Sequence, residues 1–496
     1  MNYATHDLND TIVALATPAG VGAIGVIRLS GKEAIRICNK VFKGKNLEAQ
    51  GSHTIHFGTI RNAEDQVIDE VLVSLFVGPT SYTGENVVEV SCHGSNYIIQ
   101  QLIQLFTQQG ARMAQPGEFT LRAFLNGRMD LSQAEAVADL IASSSEAAHT
   151  LAIQQMRGGF SDEIQKLRQQ LLDFASLIEL ELDFSEEDVE FADRSALKKL
   201  VKTIQAYLHD LLQSFDLGNA IKNGINTVIA GRPNAGKSTL LNALLNEERA
   251  IVSDIAGTTR DTIEEVLNIN GIQFRIIDTA GIREAHDQIE AIGVAKTMEK
   301  ISQSALLIYV FDVAQMEPEE VRQDLARLMK PGIHLLVIAN KMDLNPYTKF
   351  EDYFGEVDSW EVESRKSGSG EVKQPGVTSS GLTTYNLQHL TPTQWVPISA
   401  LEKMNIGYLK EKLYESVITE KVKLDSTVVS NVRHYEALRK ASESLDDVLQ
   451  AMDSGITSDF VAMDIRRALA YLGEITGEIS TDDLLGNIFG KFCIGK

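Results

Sequence analysis

The stretch GRPNAGKST, Gly231–Thr239, fits the pattern GxxxxGK[ST] and directly follows a strand-like run, INTVIAG. Gly231 and Gly236 allow the backbone to curl so that its N–H groups face phosphate, and the next helix adds its positive end. Lys237 brings a cation to the β- and γ-phosphates, and Ser238 offers a hydroxyl to Mg²⁺. Asn234, Ala235 and Thr239 complete this candidate loop. Asp278-Thr279-Ala280-Gly281 follows the run FRII, where the carboxylate can reach the Mg²⁺ shell and the Gly281 N–H the γ-phosphate. Asn340-Lys341-Met342-Asp343 ends another such run. Asp343 suits the adjacent N–H donors of guanine, and a buried carboxylate left unpaired would penalise adenine. Ile398-Ser399-Ala400 follows the last strand, and Gly257-Thr258-Thr259-Arg260-Asp261 lies where a hydroxyl could reach the metal. These elements occur in the order of a GTPase, so the chain is expected to bind GTP.

Ile282 follows the DTAG motif where many GTPases place a glutamine that orients water. An aliphatic side chain cannot do so. Hydrolysis therefore calls on another group, such as Glu290, or on an activator in trans. Arg260 and Arg283 could stabilise charge or make surface pairs. Cys92-His93 resembles a thiol–imidazole pair, but neighbours in a strand face opposite ways, so both read as structural. The chain ends in FCIGK, and Cys493 alone reads either as reactive or as a small buried apolar plug.

Those motifs need a scaffold to hold them. The sequence of 496 residues suggests several domains. With 46 basic and 68 acidic residues its formal charge is −22, so any RNA contact must rest on local basic patches or a partner. Three dispersed cysteines fit a reducing cytoplasm, and no apolar run is long enough for a membrane span. The acidic start argues against a signal peptide.

The expected fold is multidomain α/β. Residues 1–124 read as α+β, with IVALATP, AIGVIRLSG, EVLVSLFVG and NVVEVSCHG as strands and YIIQQLIQLFTQQG as a helix stopped by Gly110. Residues 125–220 and 421–496 are helical and form one discontinuous bundle, with Ser132-Gln-Ala-Glu135 as a capping-box pattern. The acidic FSEEDVEFAD reads as a solvated connection. Residues 221–420 alternate strand and helix, the signature of an inserted, doubly wound, mostly parallel sheet of the P-loop type. A Ser/Gly-rich insertion near 355–392 is expected to be disordered.

The domain order, GRPNAGKST, GTTRD, DTAG and the terminal FCIGK together resemble the TrmE-type (MnmE) family of tRNA-modification GTPases, over essentially the whole chain except the insertion. The resemblance implies a cytoplasmic homodimer that forms a heterotetramer with the FAD-binding protein MnmG (GidA). Together they would install a carboxymethylaminomethyl- or aminomethyl-type group at C5 of the wobble uridine of certain tRNAs. The carbon would come from 5-formyl- or 5,10-methylene-tetrahydrofolate bound in the N-terminal, dimerising domain. It further implies that Asn234, Ser253, Ile255 and Thr258 hold K⁺, and that Ser238 and Thr259 hold Mg²⁺. On the same resemblance the nucleotide site would extend over Asp254, Ala256 and Gly257, and Glu290 would orient water. Arg28, Glu89, Arg128 and Lys496 would contact folate, whose pterin shares guanine's donor edge and whose glutamate tail suits cations. Cys493 would take part in the one-carbon chemistry. The competing expectation is a regulatory or ribosome-assembly GTPase that switches without modifying RNA.

Overall fold

The computed structural model describes residues 10–183, 194–248, 265–277, 304–330, 333–355, 391–416, 427–454, 458–479 and 482–495. The chain divides into two compact units. One takes in the chain up to Ser143, His149–Leu212 and the chain from Val432 onward; the other takes in Ser144–Ala148 and Gln213–Asn431. FSEEDVEFAD and most of the 355–392 insertion lie outside the described residues.

In the first unit, strands β1 (Ile12–Leu15), β2 (Ile24–Ser30), β3 (Phe42–Lys43), β4 (Thr54–Arg61), β5 (Val67–Phe76), β6 (Val87–His93) and β7 (Arg112–Met113) form one sheet of order β3-β4-β5-β6-β2-β1-β7. All neighbours are antiparallel except β1 and β7. Alternating burial along β5 and β6 gives the sheet one packed face. The helices Ala34–Val41 and Asn96–Gln108 contribute Ile37, Cys38, Ile99, Leu102 and Phe106 to the core it shares with Val13, Ile27, Val73 and Val90. Asn96–Gln108 stops as predicted. Gly110 adopts φ 109°, its N–H bonds Thr107 O at 3.1 Å, and the Ala111 N–H bonds Phe106 O at 3.1 Å. That is a Schellman ending. Strand β4 escapes the sequence patterns because its apolar Ile55 and Phe57 lie on the exposed face while His56, Gly58 and Ile60 are buried. A Cβ at Gly58 would lie 2.4 Å from the Phe42 ring, so the glycine makes room for that ring.

The helical part of this unit comprises Glu118–Leu125, Leu131–Ala142, Gly159–Asp183, Arg194–Gln213, Val432–Asp453, Ser458–Thr476 and Asp482–Phe489, with most of Glu146–Met156. The capping box lies two residues ahead of the predicted one. Asp130 accepts from Gln133 N at 2.9 Å, and Gln133 Oε1 accepts from Asp130 N at 2.9 Å. Ser132 and Glu135 are drawn into tertiary bonds instead. The Ser132 and Ser161 hydroxyls pair at 2.6 Å, while Glu135 accepts from Arg433 Nη2 at 2.7 Å and meets His434 Nε2 at 2.8 Å. Burial pushes the Glu135 carboxyl up, but hydrogen bonds from His434 and Arg433 outweigh it and hold the group far below the usual carboxylate range. These contacts join segments some 298 residues apart into one bundle.

The second unit holds β8 (Ile225–Ala230), β9 (Glu265–Ile269), β10 (Ile272–Ile276), β11 (Leu306–Asp312), β12 (His334–Asn340) and β13 (Trp395–Pro397), in the order β13-β12-β11-β8-β10-β9. All pairings are parallel except β9 with β10. The near-continuous burial of β8, β11 and β12 is that of a parallel sheet covered on both faces. Strand β9 was not among the expected strands. It is set by Asn270-Gly271, both at positive φ (50° and 83°), the signature of a two-residue hairpin. Ser144–Ala148 belongs to this unit through the same hairpin: Gln273 Nε2 donates to Ser144 Oγ at 2.7 Å and to Ser144 O at 3.1 Å. Among the described residues no helix is long and apolar enough to cross a membrane.

Candidate functional site

The phosphate loop opens where β8 ends, on the carboxyl side of the parallel strands, where open α/β sheets bind ligands. Two glycines are required there. At Gly231 (φ 149°) a Cβ would lie 2.0 Å from Val310 O, and at Gly236 (φ 94°) it would lie 2.1 Å from Asn340 Nδ2. Between them Asn234 is exposed in the left-handed region, at φ 62°. The helix Lys237–Glu248 starts directly after the loop. Its first residue folds back, so that Lys237 Nζ donates to Gly231 O at 2.7 Å and Arg232 O at 2.8 Å. Burial pulls the Lys237 amine below its ordinary value.

Asn340, at the end of β12 and 2% exposed, ties two loops together. Its Nδ2 donates to Ala235 O at 2.8 Å, and its Oδ1 accepts from Ala400 N at 3.0 Å. One amide therefore locks the phosphate loop to the Ile398–Ala400 loop. Lys341 sits at φ 66° and its Nζ pairs with Asp312 Oδ2 at 2.6 Å. Asp343 is exposed, in the turn closed by Leu344 N on Lys341 O at 2.9 Å. Discrimination by an uncompensated carboxylate then requires the base itself to cover it. Ser238 and Thr239 occupy the first turn of the loop's helix.

In the first unit, Arg28 on β2 stands opposite Glu89 on β6. Arg28 Nε and Nη2 both reach Glu89 Oε1, at 2.9 and 2.8 Å. The guanidinium carbon lies 5.5 Å from the Tyr82 ring centre and 5.7 Å from that of Phe119. The chain's end comes to this pair. Arg28 Nη1 donates to Gly495 O at 3.4 Å, Gly117 N donates to Cys493 O at 3.3 Å, and Ile494 bridges Pro116. Behind it the helix Asp482–Phe489 buries Phe489 against Phe124 and Phe492. Cys493 is exposed, which removes the apolar-plug reading; Cys38 and Cys92 are buried. Burial pushes those two thiols up to about 12 and about 11. His93 faces away from Cys92 as expected, with Nδ1 2.7 Å from Asp69 Oδ1. Arg128 is exposed, and its stem runs along Gly84 in the loop that carries Tyr82.

A buried ionic cluster that the motifs do not mark lies within this unit. The Arg122 side chain, 2% exposed, donates to Asp10 Oδ1 at 2.6 Å, Glu118 Oε1 at 3.0 Å and Glu85 Oε2 at 3.2 Å. Arg112 doubles the contacts to Asp10 and Glu118. The cluster fixes the helix bearing Phe119 and the loop bearing Tyr82, the rings beside Arg28. The available signal was the i,i+4 spacing of Glu118 and Arg122, which surface helices share. Ser253, Asp254, Ile255, Ala256, Gly257, Thr258, Thr259, Asp278, Thr279, Ala280, Gly281, Glu290 and Lys496 lie outside the described residues, as do Arg260, Ile282 and Arg283.

A family model for the MnmE helical domain matches residues 131–493, and one for the GTP-binding protein TrmE N-terminus matches residues 11–128. A protein of Cytophaga hutchinsonii named tRNA modification GTPase MnmE is 54% identical, over 98% of this chain and 98% of its own. Proteins of the same name from Christiangramia forsetii and Flavobacterium psychrophilum are 52% and 51% identical, over 99% and 98% of this chain and 100% and 99% of theirs.

Proposed function

The chain belongs to the MnmE family of tRNA modification GTPases, and on that premise we propose that it is a K⁺-activated GTPase that modifies tRNA with a FAD-dependent partner of the MnmG (GidA) type. It is a GTP hydrolase of tRNA modification. In the proposed reaction a cytoplasmic homodimer, assembled with the partner as a heterotetramer, adds an aminomethyl- or carboxymethylaminomethyl-type group at C5 of the wobble uridine. A bound tetrahydrofolate derivative would supply the one-carbon unit.

In the nucleotide site, Lys237 and the loop N–H groups would hold the phosphates, with Asp278 and Gly281 nearby. Ser238 and Thr259 would hold Mg²⁺, and Asp343, supported by Asn340 and Lys341, would read guanine. Asn234, with Ser253, Ile255 and Thr258, would hold K⁺, which supplies the charge an arginine finger brings elsewhere. Asn234 suits this role because its left-handed, exposed position leaves the side chain at the rim of the loop. Glu290 would orient the attacking water.

The observation that carries the folate half is the docked chain end: a partly buried carboxylate–guanidinium pair, Glu89 and Arg28, with Cys493 held beside it by backbone bonds. A switch GTPase has no use for that arrangement. Titration of the full-length protein with 5-formyl-tetrahydrofolate tests it. Saturable binding that weakens about tenfold or more in Arg28→Ala, as expected for one charge-assisted contact, supports the reading. Absence of saturable binding would favour the switch.

The cation assignment makes its own prediction. GTP hydrolysis should run about tenfold or more faster in K⁺ than in Na⁺, a barrier difference of about 1.4 kcal/mol or more, and should rise with protein concentration as G domains pair. Equal rates in the two salts would remove Asn234 as a ligand.

A further inference from the structure

The pattern GxxxxGK[ST] leaves its second position free, and here that position is Arg232. Its side chain turns away from the phosphate side of the loop onto the helix Pro318–Leu328. Arg232 Nε donates to Asp324 Oδ2 at 2.8 Å and Nη2 to Asp324 Oδ1 at 3.3 Å, a fork on a single carboxylate. Nη1 pairs with Glu320 Oε1, while the other Glu320 oxygen accepts from Glu317 N at 3.1 Å to cap the same helix. Asp324 is fixed from a second side by the buried Tyr309 of β11, whose hydroxyl donates to Oδ2 at 2.9 Å. This second bond resists movement of the carboxylate with the arginine if the loop shifts.

The backbone of Arg232 is part of the loop's interior. Its carbonyl accepts from Lys237 Nζ at 2.8 Å and from Ala235 N at 3.3 Å. On the other side, Gly231 lies so close to Val310 O that the loop cannot move toward β11. One residue thus connects a rigid helix, through its side chain, to the phosphate-binding lysine, through its carbonyl. An isolated surface ion pair would contribute little, and Arg232 is 39% exposed at its side chain. The two-point geometry and the buried tyrosine behind Asp324 set this pair apart.

Resting on the GTPase reading, we propose that Arg232 is a positioning residue: its fork on Asp324 sets the phosphate loop and the Lys237 amine for nucleotide, and it does not act as a cis arginine finger. Fluorescent N-methylanthraniloyl-GDP titrations and GTP turnover on R232A, R232K, D324N, Y309F and the double variant R232A/D324N test this. Binding by the unaltered protein checks the GTPase reading separately.

Under the proposal R232A and D324N each weaken nucleotide binding about fivefold to tenfold. The double variant is no worse than R232A, because the fork that D324N breaks is already gone. R232K, which keeps the charge but loses the fork, falls with R232A, and Y309F gives a smaller loss in the same direction. A finger role predicts a fall in kcat for R232A at unchanged affinity and near-normal D324N. That outcome, or losses that multiply in the double variant, would overturn the proposal. So would wild-type affinity in R232K.

Discussion

Cys493→Ser is expected to abolish tRNA modification while GTP hydrolysis stays within about twofold of the unaltered protein, the range of a surface substitution. The change is a single atom at an exposed position. The segment is held there by backbone atoms, Cys493 O to Gly117 N and the Ile494–Pro116 bridge, and by Phe489 in its cluster, none of which involves the thiol. The docked end should therefore persist, and only the chemistry of the side chain differs. A cysteine thiolate is a strong nucleophile, whereas a serine hydroxyl needs a dedicated base to become one. Mass spectrometry of nucleosides after reconstitution with the flavoprotein partner, alongside phosphate release, separates the two readouts. Undiminished modification would make the cysteine dispensable.

Gly495→Ala should undo the docking itself. Gly495 has φ 97°, where an L-residue is strained by about 1–3 kcal/mol. An added Cβ would lie 2.2 Å from Leu15 O and 3.0 Å from Leu15 C, both backbone atoms of β1 that cannot step aside. The displaced carbonyl is the one Arg28 holds. The expected results are faster tryptic cleavage after Lys491 and a fall of about tenfold or more in folate affinity and tRNA modification, the loss of one charge-assisted contact plus local order. The G-domain motifs are untouched, so GTP binding should not change. A variant that resists trypsin and binds folate normally would show that this close approach is not needed.

How much of this could be read from the residues follows the range over which each constraint acts. The phosphate loop was legible because its requirements are local: two glycines where no Cβ fits, a lysine that folds back by one turn, and a strand on the upstream side. The Schellman stop at Gly110 was legible for the same reason. Even local signals compete with one another. Asn270-Gly271 marks a hairpin whose strand β9 is less apolar than β8, β11 and β12, and Asp130 takes the capping position because Ser132 and Glu135 have tertiary partners to satisfy. What stayed hidden is long-range polar pairing. Nothing near Arg122 distinguishes a fully buried arginine from a surface one, and Arg232 is 92 residues from the carboxylate that orients it. The meeting of the chain's end with Arg28 spans 467 residues and was expected only through family resemblance.

The short passage Ser144–Ala148 carries a practical lesson for anyone who wants the nucleotide-hydrolysing body alone. A clone bounded at Gln213 and Asn431 would omit residues that lie on the β9–β10 hairpin, stripping Gln273 of both its acceptors and uncovering Gly271, whose Cβ position is 3.0 Å from Ala147. That hairpin runs straight into the DTAG motif. Turnover measured on such an excised fragment would be that of a hairpin without its natural partners, and adding back a synthetic peptide bearing Ser144–Ala148 is the natural repair.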